Sequence, residues 1–279
     1  MDHRNGPGHP AAGPRWVQHP RPNPGAGLRL VCLTYSGGRA SAFAGLAADL
    51  PDGVEVVAIE LPGHGRRLTE VPCTRLQPLV DGVVDVLTEQ VAPPFVLLGY
   101  SMGALLGLEA AREFARRGVR GPSALIVAAA TPPHLPTTGP PLHDLPRSDL
   151  LAWLAGLDHA RTALLENEEL VDLILPVLRA DLAAGETYLH QPAPPLVCPV
   201  AAFGGRADTA VSREALGSWG ELTVGGFSAT VLDGGHFFLD APGGAFARAL
   251  TTELERLFGD LGTRPDLGKE EHAAHGGAR

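Results

Sequence analysis

Six short apolar runs, separated by stretches with helical spacing, constrain this chain more than any other feature. They are LRLVCLTY (28–35), VEVVAI (54–59), FVLLG (95–99), ALIVAAA (124–130), CPVAAF (198–203) and SATVL (228–232). Runs that stay apolar instead of alternating suit strands covered on both faces, as in a parallel sheet. Between them, SAFAGLAADL (41–50), LQPLVDGVVDVLTEQV (76–91) and MGALLGLEAAREFARRG (102–118) repeat apolar residues every three or four positions, the period of an amphipathic helix. Strand and helix alternate, which predicts an α/β fold with a mostly parallel, doubly wound sheet.

Residues 131–195 break the rhythm. A Pro-rich exit, TPPHLPTTGPP, leads to LPRSDLLAWLAGL and ENEELVDLILPVLRADLAAGETYL, which read as helices, before the Pro-rich return QPAPPLVCP. This predicts a helical lid inserted over the sheet, with the core formed by 28–130 and 196–258. The first 27 residues hold six prolines and five glycines and are expected to form a flexible arm; 259–279 is expected to be a disordered tail.

Composition narrows the function classes. A net charge of −9 argues against general nucleic-acid or anionic-membrane binding. No apolar stretch reaches the roughly 20 residues needed to span a bilayer, and the N-terminal stretch lacks the apolar core of a signal peptide. Cys32, Cys73 and Cys198 show no CxxC spacing and are expected to be free thiols, which points to the cytoplasm. No His or Cys spacing suggests a metal site, and a monomer is expected.

In an open parallel sheet the functional crevice lies beyond the carboxyl ends of the strands. After the first run come Tyr35, Ser36, Gly37 and Gly38; after the second, LPGHGRR; after the third, Ser101 in GYSMG; after the fifth, GGRAD ending at Asp208; after the sixth, DGGH ending at His236. With 35 glycines and eight serines in 279 residues, roughly 0.1 Gly-x-Ser-x-Gly matches arise by chance, so the motif alone is weak. Ser, Asp and His at three separate strand ends, in the order nucleophile, acid, base, carry far more weight.

The chemistry needs these types. A serine hydroxyl is a weak nucleophile at neutral pH and requires a base, for which His236 is the candidate, while Asp208 would hold the imidazole in the working tautomer. Gly99 and Gly103 would allow close backbone approach at a sharp strand-to-helix turn. The Met102 and Ser36 backbone N–H groups are the candidate oxyanion donors. Tyr35, Gly37, Tyr100 and Phe237 are candidate substrate contacts. His64 is either a turn residue or a site-lining group, Arg66 and Arg67 read as a solvated charge pair, and Trp153 and Tyr188 are either lid core or channel lining.

With these motifs in place the chain closely resembles the type II thioesterases that accompany polyketide and nonribosomal peptide synthetases. LVCLTYSGG, ELPGHGRR, GYSMGA, LVDLILPVLRADLAAGETY, CPVAAFGGRAD and GGHFFL follow the family's order, the LRAD and HFFL pieces being more specific than the serine motif. The resemblance implies an α/β-hydrolase fold with a helical lid and a triad at Ser101, Asp208 and His236. It implies no cofactor of the enzyme's own, and a substrate acyl group carried on the phosphopantetheine arm of an acyl or peptidyl carrier protein, removed either to edit stalled intermediates or to release a fatty acyl starter. Tyr100 where the family commonly has histidine, Thr34 and Ser36 in the first glycine turn, and LDHAR in the lid depart from the pattern. Two other readings stand beside it: a small-molecule carboxylesterase on the same fold, and a noncatalytic protein that docks a synthase. An epoxide hydrolase or dehalogenase would carry aspartate at the position of Ser101.

Overall fold

The computed structural model describes residues 15–136, 139–157, 167–241 and 243–262. All six expected strands form: β2 (Leu28–Leu33), β3 (Val54–Ile59), β4 (Phe95–Tyr100), β5 (Leu125–Ala128), β6 (Val200–Gly205) and β7 (Phe227–Leu232). They pair in parallel, in the order β3-β2-β4-β5-β6-β7. Every residue of β3, β4, β5 and β6 is buried, which is why these segments read as unbroken apolar runs. β7, at the edge, has no fully buried residue.

A seventh strand, β1 (Val17–Gln18), lies antiparallel on β3, with Val17 opposite Ile59. The flexible arm expected over 1–27 is thereby corrected for 15–27. Trp16 is buried in the core, and the guanidinium of Arg67 sits 4.2 Å over its ring. Two residues of strand are too short for a periodic signal, so burial of the indole, not strand propensity, anchors this segment. At the other end Leu261 is buried among the core residues of one sheet face, so 259–262 belongs to the fold, and 263–279 lies outside the described residues.

Helices cover both faces. α1 (Ala44–Asp49) and the C-terminal α7 (Ala245–Phe258) lie on one side with Phe43, Phe246 and Leu250; α2 (Leu76–Gln90) and α3 (Met102–Arg116) lie on the other with Val83, Leu106 and Phe114. The short α6 (Arg213–Gly217) follows β6, and the lid contributes α4 (Arg147–Leu157) and α5 (Glu168–Glu186). Leu150, Leu178 and Leu182 form a small separate core there, packed by Trp153, Leu154 and Leu175. Trp153 is therefore lid core. The LDHAR departure falls mostly on 158–161, outside the described residues.

Strand order reverses direction at β2: β3 lies on one side of it and β4 on the other. In doubly wound sheets that reversal leaves a crevice between the two carboxyl ends, where ligands bind. Here the crevice is bounded by the turn after β2 and the Ser101 elbow after β4.

Candidate active site

Ser101 joins β4 to α3 with φ 53° and ψ −117°, a conformation that is an outlier for a non-glycine residue and is held only where the surroundings over-determine it. They do so here. Its N–H donates to the Ala128 carbonyl at 2.8 Å. A Cβ on Gly99 would come within 2.2 Å of the Gly103 carbonyl oxygen, and one on Gly103 within 2.2 Å of that of Leu33. Both glycines are thus required by close backbone packing, which also presses the start of α3 against the exit of β2.

The loops after β6 and β7 are neighbours because their strands pair, and they are stitched by the Ala207 N–H donating to the Gly234 carbonyl at 2.8 Å. They bring Asp208 and His236 together. Asp208 Oδ2 lies 2.9 Å from His236 Nδ1, and His236 Nε2 lies 3.3 Å from Ser101 Oγ. The Asp208 side chain is fully buried, and its other oxygen accepts the Ala210 N–H at 2.8 Å. A carboxylate at Nδ1 places the proton there and leaves the Nε2 lone pair facing the serine hydroxyl.

Tyr100 has a different place from the expected one. It is fully buried, its hydroxyl donates to the His236 backbone carbonyl at 2.5 Å, and the Leu239 N–H donates to that hydroxyl at 3.4 Å. A buried side chain of this kind cannot be a substrate contact; it holds the histidine loop. Tyr35 and Phe237 are partly exposed and pack edge-to-face, with ring centroids 5.1 Å apart. Phe237 also packs edge-to-face on the His236 ring at 5.2 Å. The two rings thus pack together beside the His236 imidazole.

The two candidate oxyanion donors lie on different elements. Met102 opens α3, so its N–H is one of the first-turn donors that have no partner within a helix. The turn after β2 is closed by the Gly38 N–H donating to the Tyr35 carbonyl at 2.8 Å, with Gly37 at φ 72°. Ser36 occupies the second position of this turn. Gly37 donates its N–H to Asp181 Oδ2 of α5 at 2.7 Å, and the same oxygen lies 2.8 Å from His64 Nε2. His64 is neither a simple turn residue nor exposed to the crevice: it is buried against the lid helix. Burial opposes its charge, but hydrogen bonding and charge from Asp181, the Pro62 carbonyl and Glu60 together raise its pKa above the usual histidine value.

Two further expectations are corrected by packing. Arg67 is 2% exposed, stacked on Trp16, donating to the Glu60 carbonyl and paired with Glu70; only Arg66 is exposed. Tyr188 donates its hydroxyl to Glu109 of α3 at 2.7 Å and so fastens the lid's return to the core; burial, then this carboxylate, push its phenol pKa up. The cysteines are free, Cys32 being fully buried with its thiol pKa raised by that burial. Among the described residues no group of three or more His, Cys, Asp or Glu is arranged to hold a metal ion, and no helix is long and apolar enough to cross a membrane.

A parallel sheet, a strained serine at the strand-to-helix turn, and histidine and aspartate from the last two strand ends together define an α/β-hydrolase. A family model for the thioesterase domain matches residues 28–254. The chain belongs to the thioesterase family and, within it, to the type II thioesterases of polyketide and nonribosomal peptide pathways. It is 36% identical to the gramicidin S biosynthesis protein GrsT of Aneurinibacillus migulanus over 81% of this chain and 88% of that protein. Among solved structures it is similar to the RedJ thioesterase of the prodiginine pathway in Streptomyces coelicolor, at 40% identity and a TM-score of 0.77 over 84% of this chain and 87% of that one. The type II thioesterase BorB from the borrelidin cluster matches at 35% identity and a TM-score of 0.78 over 86% and 97%.

Proposed function

We propose that this protein hydrolyses acyl thioesters on the phosphopantetheine arm of an acyl or peptidyl carrier protein, clearing stalled or wrong acyl groups from a synthase. The observation that carries the proposal is the Ser101–His236–Asp208 alignment at the crevice between β2 and β4. Membership of a family whose relatives serve gramicidin S, prodiginine and borrelidin biosynthesis supports the substrate class.

Ser101 Oγ attacks the thioester carbonyl while His236 Nε2 takes its proton, and Asp208 stabilises the imidazolium that forms. The tetrahedral oxyanion is held by the Met102 and Ser36 N–H groups, each such donor being worth about 3 kcal/mol. Collapse breaks the C–S bond and returns the proton to the departing thiol. A thiol with a pKa of about 8.5 leaves readily compared with an alkoxide, so acylation needs little acid assistance. Water, deprotonated by His236, then attacks the acyl-serine; the bond to Ser101 Oγ breaks, Oγ takes the proton back from His236, and the carboxylic acid is released. Tyr35 and Phe237 form the apolar side of the acyl site. No cofactor enters this scheme.

The test is acid release from an acyl-phosphopantetheinyl carrier protein by the wild type and by Ser101→Ala. The expected result is a loss of about 10⁴-fold or more in the variant; equal rates would overturn the proposal. Comparable turnover of free oxoesters with no preference for the carrier would instead favour a small-molecule esterase.

A further inference from the structure

Two motifs singled out in the sequence, PGHGRR and LRAD, take no part in the three-residue site, yet the fold joins them. His64 and Asp181 are 117 positions apart and meet through Nε2 and Oδ2 at 2.8 Å, each side chain 2% exposed. The other ring nitrogen of His64 faces the Pro62 carbonyl at 3.0 Å. The Pro62 carbonyl can only accept, so Nδ1 carries a proton, and an ionised Asp181 accepts a second from Nε2; these partners favour the charged ring. Removing one partner of a buried pair leaves an uncompensated charge, so the two side chains stay together once the lid helix packs.

That geometry ends on the turn after β2. The residue with positive φ, Gly37, stands third in Tyr35–Gly38, as in a type II turn. Types I and II differ by a flip of the central peptide, here Ser36–Gly37, and the N–H of this peptide is the one that Asp181 accepts. The turn is gripped elsewhere as well. Glu60 Oε1 accepts the Ala40 N–H at 3.0 Å, and Leu178, one turn before Asp181 on α5, lies against Gly37 so closely that a Cβ there would meet it at 3.5 Å.

We propose that His64 and Asp181 are positioning residues that latch lid helix α5 onto the turn after β2, so that this turn, and with it the Ser36 N–H on the preceding peptide, is held in place only while that helix is seated. The proposal rests on the thioesterase reading above and deepens it by tying transition-state stabilisation to the lid. Neither side chain touches a reacting atom; both act through Gly37.

Hydrolysis of an acyl-N-acetylcysteamine thioester by Asp181→Ala, Asp181→Asn and His64→Gln tests it, with labelling of Ser101 by a fluorophosphonate as a second readout. Asp181→Ala removes the acceptor and is expected to lower kcat and the labelling rate by about ten-fold or more, with KM within about three-fold of wild type. Asp181→Asn keeps one carbonyl oxygen for the Gly37 N–H and should recover to within about three-fold of wild type. Wild-type kcat in folded Asp181→Ala, a loss confined to KM, or equal losses in the alanine and asparagine variants would each overturn the proposal. If Asp181→Ala does not fold, His64→Gln decides: a lowered kcat with unchanged KM supports the latch, and an unchanged kcat removes it. Failure of the underlying function would look different, since wild type and Ser101→Ala would then hydrolyse the thioester equally.

Discussion

Two histidine–aspartate pairs sit on either side of the crevice at nearly equal distance but through different ring nitrogens: Asp208 lies 2.9 Å from His236 Nδ1, and Asp181 lies 2.8 Å from His64 Nε2. Their second ring nitrogens differ. His236 Nε2 faces the Ser101 hydroxyl, a group that can give up a proton, whereas His64 Nδ1 faces the Pro62 carbonyl, which can only accept. The first ring therefore has a partner that can pass it a proton, whereas the second faces only acceptors, which favour its charged form. Their elements differ too. The first pair joins two loops of one sheet, and the second joins the sheet to the lid. A histidine beside a carboxylate is therefore a base or a clamp according to its third partner.

This contrast can be broken most severely at the proton-transfer pair. Asp208→Asn leaves the shape intact but favours the wrong tautomer, and the expected outcome is a fall in kcat of about 10⁴-fold with little change in KM, read by steady-state thioester hydrolysis. At the clamp pair Asp181→Ala should lose about ten-fold in kcat, and a loss there as large as that of Asp208→Asn would erase the distinction between the two.

A smaller effect is expected at Tyr100. Its hydroxyl bonds the His236 carbonyl from a buried position. Tyr100→Phe should cost about 1 to 2 kcal/mol of stability for the unsatisfied carbonyl, seen as a lower denaturation midpoint, and reduce kcat several-fold by loosening the histidine loop. An unchanged KM would agree with its lying behind the site.

The smallest effect concerns pH. The groups that act on His64 are Asp181, the Pro62 carbonyl and Glu60, and together they outweigh burial and raise its pKa. A histidine raised on folding stabilises the native state fully below its unfolded value of about 6.5, and this contribution is lost as pH rises through the raised value. Urea midpoints measured from about pH 6 to pH 9 should therefore fall more steeply in wild type than in His64→Gln. Parallel curves would mean that His64 is not charged in the folded protein.

Much of the fold was legible because its signals are local. β3, β4, β5 and β6 are buried on both faces and therefore continuously apolar, and the three amphipathic helices α1, α2 and α3 lie where their spacing placed them. The catalytic constellation was legible for a related reason, since a parallel sheet collects all of its strand exits at one edge, and Ser101, Asp208 and His236 each follow a strand. β1 was missed because two residues carry no period, and its anchor is the stack of Arg67 on Trp16, which are 51 positions apart. Arg67 was misread for the same reason.

By itself, then, the sequence determined the alternation of strand and helix, the elbow that strains Ser101, and the order of the three site residues, because each depends on spacing along a few consecutive residues. Only the tertiary structure decided which partners the polar groups take. GYSMG did not reveal that the tyrosine hydroxyl would turn inward to the His236 carbonyl, and neither PGHGRR nor LRAD revealed that His64 and Asp181 would meet across 117 positions at the turn after β2. The physical reason is that backbone periodicity is a property of neighbours, whereas a buried polar group must find its hydrogen bonds wherever the packed core brings an acceptor or donor within reach.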